Sequence, residues 1–167
     1  MSTLWLVGMM GVGKSTVGPR VAYAAGIDYV DLDQVIALAA GCGVARIFKD
    51  EGEEAFRSKE RAALESIAGS AVVVGCGGGI VEDPANIATM RDTGPVAWLD
   101  APISVLAKRV GDGAGRPMLA GDVRSRLNSL QRRRKKMFDA AAHQRFDAAT
   151  QNPQEIAREI VRWWRNR

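Results

Sequence analysis

Short apolar runs alternate along the chain with longer stretches in which apolar residues recur every three or four positions. The runs Leu4–Val7, Ile27–Val30, Ala71–Val74 and Val96–Leu99 have the length and composition of strands, and a weaker fifth run spans Phe146–Ala149. Helical patterning covers Lys14–Ala25, Asp33–Ala40, Val44–Lys49 and Gly52–Gly69, then Pro84–Asp92, Pro102–Val110, Val123–Ala142 and Pro153–Arg165. Strands that alternate with helices predict an α/β domain with a mostly parallel sheet. Pro84, Pro102 and Pro153 each suit a first helical turn, with Asp83 and Asn152 placed as caps. Pro19 falls inside the first helix, where the missing N–H predicts a kink or a shortening. Ile156, Ile160 and Trp163 recur at helical spacing, which predicts a C-terminal helix packed on the sheet rather than on a membrane surface. No repeat or low-complexity segment divides the chain, so residues 1–167 are expected to form one domain.

Composition narrows this only slightly. With 47% hydrophobic and 25% charged residues in 167, the chain can bury a real core. A net charge of +4 suits an anionic ligand without implying nucleic acid. The two cysteines, Cys42 and Cys76, form no C-x-x-C pair, so no zinc site or disulfide framework is expected. Cys76 reads as a small buried residue rather than a nucleophile. A cytoplasmic location is expected, with no leader before the first strand and no membrane span. His143, the single histidine, has no partner motif and reads as a surface or satisfied residue.

Chemistry enters at residues 8–15. Gly8-Met9-Met10-Gly11-Val12-Gly13-Lys14-Ser15 is a complete G-x-x-x-x-G-K-[ST] loop, set between a strand and a helix. Such a loop turns successive N–H groups onto one anion and aims a helix N-terminus at it. Lys14 supplies a mobile charge for the β- and γ-phosphates, and Ser15 offers a hydroxyl to Mg²⁺. A nucleoside triphosphate is the expected ligand.

Asp31 and Asp33 follow the second strand, at the carboxyl end where an open α/β sheet binds its ligands. Strand alternation would point them the same way, one toward Mg²⁺ and one toward an attacking hydroxyl. The bland alternative is that they cap the next helix. Arg57 and Glu60 stand three apart on a predicted helix, an orienting pair or a surface ion pair. Gly77-Gly78-Gly79 after a core strand would let backbone approach a ligand, or simply make a flexible turn. Arg109 and Arg116 bracket the glycine-rich segment 111–115, the best candidate for a mobile loop, and either is by default a solvated arginine. Five consecutive cations at 132–136 read as a solvated helix face, but a helix that packs must turn at least one inward.

In this order and spacing the phosphate loop, Asp31-Leu32-Asp33, Gly52–Arg57, the glycine triplet and Arg116-Pro117-Met118-Leu119 resemble the shikimate kinase family, from Leu4 to about Pro153. The resemblance implies a P-loop kinase fold of three layers, with a five-stranded parallel sheet in the order 2-3-1-4-5 and flanking helices. It implies an acceptor-binding segment near 32–60 and a mobile lid near 111–121. Gly11, Val12, Gly13, Lys14, Ser15 and Thr16 would bind ATP, with Arg116 from the lid bridging the phosphates. Arg109 and Pro153 would sandwich the adenine. Ser15 and Asp31 would hold Mg²⁺, and Asp33 would be the base. Arg57 and Arg134 would clamp the shikimate carboxylate, with Glu60 orienting Arg57. Gly78 and Gly79 would offer backbone groups, and Phe48 and Phe56 would line the ring. Lys14, Asp33 and Arg116 would carry the catalysis.

The family's usual Arg-x-Pro-Leu-Tyr is replaced here by Arg134-Lys135-Lys136-Met137-Phe138, which leaves Arg132 or Arg133 as alternatives for the clamp. The reading implied is an ATP-dependent phosphorylation of the shikimate 3-hydroxyl by a monomer that needs neither nucleic acid nor membrane. The alternatives are a gluconate- or nucleotide-type kinase, an inactive nucleotide-binding module, and a nucleic-acid-binding ATPase suggested by residues 132–136.

Overall fold

The computed structural model describes residues 2–113, 117–119 and 121–167. Five strands form one parallel sheet: β1 (Leu4–Val7), β2 (Asp28–Asp31), β3 (Val72–Gly75), β4 (Val96–Asp100) and β5 (Gln144–Asp147). Their order is β2-β3-β1-β4-β5, as the family resemblance implied. Every residue of β1 is buried, because β3 and β4 pair with it on both sides. A run apolar throughout is what a central parallel strand requires.

β5 lies at the sheet edge and buries only Phe146, which explains why it starts two residues earlier than the apolar pattern predicts. Ala148 and Ala149, read as strand, belong to the turn that follows, where the Asp147 side chain accepts hydrogen bonds from the N–H groups of Ala149 and Thr150.

The helices are α1 (Lys14–Ala25), α2 (Leu32–Ala40), α3 (Val44–Asp50), α4 (Gly52–Ile67), α5 (Pro84–Thr93), α6 (Ile103–Val110), α7 (Val123–Ala141) and α8 (Pro153–Arg165). Short 3₁₀ turns cover Ile80–Glu82 and Pro117–Leu119. Pro19 sits inside α1 without shortening it. Pro102 precedes α6 as its N-cap rather than opening it. α8 packs chiefly on α1, not on the sheet, and reaches β5 through an edge-on contact of Trp163 with Phe146 at 5.5 Å. Its start is fixed by a capping box in which Asn152 and Glu155 satisfy each other's backbone N–H groups. α7 stacks Phe138 on Trp98 of β4, which settles the inward face of that helix. His143 joins β5 to β4: its Nδ1 accepts from the Val96 N–H at 3.0 Å, so it is a satisfied histidine. Among the described residues no helix is long and apolar enough to cross a membrane.

β1 is where the sheet's direction of growth reverses, from β2 and β3 on one side to β4 and β5 on the other. Ligand crevices of open α/β sheets form at the carboxyl ends of strands at such a point. The phosphate loop leaves β1 there.

Candidate active site

Two adjoining cavities open at this edge, and Met10, Asp33, Gly77 and Gly78 line both. The larger, about 490 Å³, is lined by the loop residues Met10–Thr16. Gly11 and Gly13 adopt positive φ of 78° and 107°, which a side chain would strain. Gly13 then caps α1 through its carbonyl, which accepts from the Val17 N–H at 2.8 Å. The orphan N–H groups at the start of α1 are left for an anion.

Lys14 is folded back onto its own loop. Its Nζ donates to the carbonyls of Gly8 at 2.7 Å and Met9 at 3.0 Å. Burial pushes its pKa down to about 8, against the opposing charges of Asp33 and Asp31. A phosphate in the cavity would offer this ammonium a better partner than two carbonyls. At the other end of the cavity, Arg109 donates to the Val12 carbonyl at 3.2 Å and the Ala148 carbonyl at 2.9 Å. Those two bonds fix the guanidinium, and Arg109 and Pro153 both line the cavity.

Strand alternation does not govern the two aspartates, because the strand ends at Asp31 and α2 begins at Leu32; both still line the larger cavity. Asp31 is the N-cap: its Oδ1 accepts from the N–H groups of Asp33 at 3.0 Å and Gln34 at 3.4 Å. The capping alternative therefore holds for Asp31 and fails for Asp33. Asp33 has a buried Oδ1 with no hydrogen-bond partner among the described residues. Burial, then the charge of Asp31, raises its pKa, while Lys14 and Arg57 oppose the rise.

The smaller cavity, about 140 Å³, brings together Phe48, Phe56, Arg57, Glu60, Gly79 and Arg134 beside Asp33. Phe48 and Phe56 pack at 4.6 Å between ring centroids. Glu60 is 1% exposed and binds Arg57 Nη1 through both oxygens, at 2.8 and 3.1 Å, so it is an orienting pair and not a surface one. A Cβ at Gly79 would collide with that guanidinium. The glycine triplet thus makes room for Arg57 as well as for a ligand.

Arg134 is the inward cation of the basic run, 1% exposed, whereas Arg133 is 52% exposed. Both donate to Glu82 Oε1 at 2.6 Å, Arg134 through Nε and Arg133 through Nη2. Arg134 Nη1 stays buried without a partner among the described residues.

Glu82 is the residue that sequence reasoning missed. Its partners lie 51 and 52 positions away, so no local spacing could reveal it. Gly77 belonged to the quoted triplet and lines both cavities, but the resemblance assigned it no role. Arg116 lies outside the described residues. Of the expected lid, Met118 reaches the smaller cavity and Leu119 is buried.

The shikimate kinase family model matches residues 10–165. A shikimate kinase of Synechococcus sp. strain RCC307 is 43% identical over 163 residues, covering 96% of this chain and 83% of that protein. One from Persephonella marina is 37% identical, covering 96% of this chain and 98% of that protein. The solved shikimate kinase from Acinetobacter baumannii, in complex with shikimate, superposes with a TM-score of 0.94 at 28% identity, covering 98% of this chain and 92% of that one. With the family model spanning nearly the whole sequence and relatives above a third identical along it, the chain belongs to the shikimate kinase family.

Proposed function

We propose that this chain transfers the γ-phosphoryl group of ATP to the 3-hydroxyl of shikimate, giving shikimate 3-phosphate. One observation carries the reading: a phosphate-loop cavity and a second cavity holding two guanidinium groups meet at the carboxylate of Asp33. The family is one of ATP-dependent kinases, and the solved Acinetobacter relative binds shikimate, a carboxylate with adjacent hydroxyls.

Each role follows from what a side chain can reach. The loop N–H groups of Gly11–Thr16 bind the phosphates. Lys14 leaves its loop carbonyls to neutralise charge on the β- and γ-phosphates. Arg109 and Pro153 hold the adenine between them. Arg57 and the free Nη1 edge of Arg134 clamp the acceptor carboxylate, with Phe48 and Phe56 along its ring and the backbone of Gly78 and Gly79 beside it. Asp33 takes the proton of the attacking hydroxyl, a task that a raised carboxylate pKa favours. Arg116, outside the described residues, keeps the role that the family resemblance implies for it, neutralising phosphate charge in the transition state from a lid over 111–121. Residues 32–60 form the acceptor segment of a single domain. The free Cys42 and Cys76 suit a reducing cytoplasm.

Mg²⁺ fits these residues. Among the described residues no three His, Cys, Asp or Glu side chains gather as a metal cage. A hard cation held mainly by phosphate and water needs none. Ser15 and the Asp31 oxygen not used in the α2 cap would hold it on the protein side. When bound, it would neutralise phosphate charge.

A coupled assay of ADP release tests the proposal, run with shikimate, gluconate, other hydroxy acids, sugars and nucleoside monophosphates. Release should depend on shikimate alone. Equal turnover with gluconate or a nucleoside monophosphate, or none with shikimate, would overturn it.

A further inference from the structure

We infer that Glu82 is a positioning residue for the acceptor: it holds the Arg134 guanidinium in the pose that the smaller cavity needs. This rests on the shikimate reading of that cavity. Glu82 closes the 3₁₀ turn Ile80–Glu82, just after the glycine triplet. Arg134 comes from α7, 52 positions away, and lines the cavity. Among the described residues, Glu82 Oε1 is the one hydrogen-bond partner of its guanidinium, at 2.6 Å from Nε. The other arginine of the cavity has its own carboxylate, since Glu60 binds Arg57 through both oxygens. Glu82 stands to Arg134 as Glu60 stands to Arg57. A long side chain without such a partner spreads over its rotamers and has to be ordered at the expense of binding.

The segment that carries Glu82 touches both guanidinium groups. A Cβ on Gly78 would stand 3.3 Å from Arg134 Nη1, and one on Gly79 would collide with Arg57. Next to Glu82, Asp83 accepts from Arg61 Nε at 2.8 Å, and Arg61 lies one turn beyond Arg57 on α4. Residues 78–83 thus tie α7 to α4 and set the spacing of two cations that are to meet one carboxylate. Glu82 also carries a negative charge, which by itself would weaken the clamp. Arg133 offsets this. It donates to the same Oε1 at 2.6 Å, so two cations share one carboxylate and the group stays net positive.

Calorimetric titration of shikimate into the intact chain saturated with ADP tests this. Glu82→Met removes the acceptor oxygens at similar length, and shikimate should bind about tenfold more weakly while ADP affinity holds. Glu82→Gln keeps an oxygen for Arg134 Nε and loses the charge, and it should stay within about threefold of wild type. In steady state the loss in Glu82→Met should fall on KM for shikimate rather than on kcat. The stoichiometry of ADP binding counts the folded protein, and Glu82→Ala takes the place of Glu82→Met if that variant does not fold. Shikimate bound as tightly as by wild type, or tighter, without the acceptor oxygens overturns the inference. So does a Glu82→Gln as weak as Glu82→Met, which would make charge and not position the cause. Arg134→Ala separates the two levels: it should weaken shikimate by itself, and Glu82→Met added to it should weaken shikimate no further. If Arg134→Ala leaves shikimate binding intact, the clamp reading fails and the positioning role with it.

Discussion

Arginine 134 should be irreplaceable by lysine for acceptor binding, while Arg133, its neighbour in the same basic run, should tolerate the change. The guanidinium of Arg134 is divided between two tasks. Its Nε holds Glu82 at 2.6 Å, and its Nη1 is buried with no hydrogen-bond partner among the described residues, in a residue that lines the smaller cavity. Lysine carries one nitrogen and cannot span both. Keeping Glu82 means giving up the acceptor, and a hydrogen bond between charged groups contributes about 1.5–3 kcal/mol. That corresponds to about ten- to a hundredfold in acceptor affinity. Giving up Glu82 instead would leave that half-buried carboxylate with Arg133 as its remaining arginine partner and appear as lost stability. Arg133 meets the same oxygen from a side chain 52% exposed, and an exposed pair contributes about 0–1 kcal/mol. Arg133→Lys should therefore change acceptor affinity by less than about fivefold. Titrating shikimate calorimetrically into wild type and both variants, each saturated with ADP, reads the two effects side by side. A silent Arg134→Lys with a severe Arg133→Lys would refute the division of labour drawn from burial.

Asp33→Asn should lower kcat by about 10²–10⁴-fold while MgATP still binds, since the amide keeps the shape and cannot take the proton; near-normal turnover would remove Asp33 as the base. Lys14, at about pKa 8 without ligand, should regain its proton against phosphate. ADP binding near pH 8.5 should therefore take up a proton, and affinity should fall about tenfold per pH unit above 8, whereas near pH 7 this group contributes no uptake. Calorimetry in two buffers of different ionisation heat reads the uptake, and Lys14→Met should abolish it. Gly79→Ala should displace the Arg57 guanidinium and weaken shikimate, with ADP affinity unchanged. Shikimate binding at wild-type strength in that variant would show that Arg57 does not need the space.

What the sequence made legible was whatever is local or periodic. β1 is apolar throughout because it pairs on both sides, and its pattern announces this. The phosphate loop is read from eight consecutive residues, and Glu60 from its three-residue step to Arg57. β5 was displaced because an edge strand buries one residue in four and leaves little periodicity to detect. The α8 stripe was legible as a buried face, but its partner was not, since α1 and the sheet both offer apolar surface. The basic run could state that one cation must turn inward. Which one is decided by the face on which Phe138 stacks with Trp98, four positions from Arg134.

The aspartate pair shows how the end of a strand changes what a two-residue spacing implies. Two carboxylates at i and i+2 share a side only while a strand persists. The strand stops at Asp31, and that residue makes the stop by capping α2. The cap accepts the backbone N–H of Asp33, so the Asp31 carboxylate is tied by a 3.0 Å hydrogen bond to the main chain of the residue that lines both cavities. Phosphoryl transfer asks a protein mainly for placement and neutralisation of charge. Here the placement is achieved by a change of secondary structure between the two carboxylates. One oxygen of Asp31 is committed to the cap, and Asp33, in the first turn of the helix, lines both cavities and keeps a buried oxygen with no hydrogen-bond partner among the described residues.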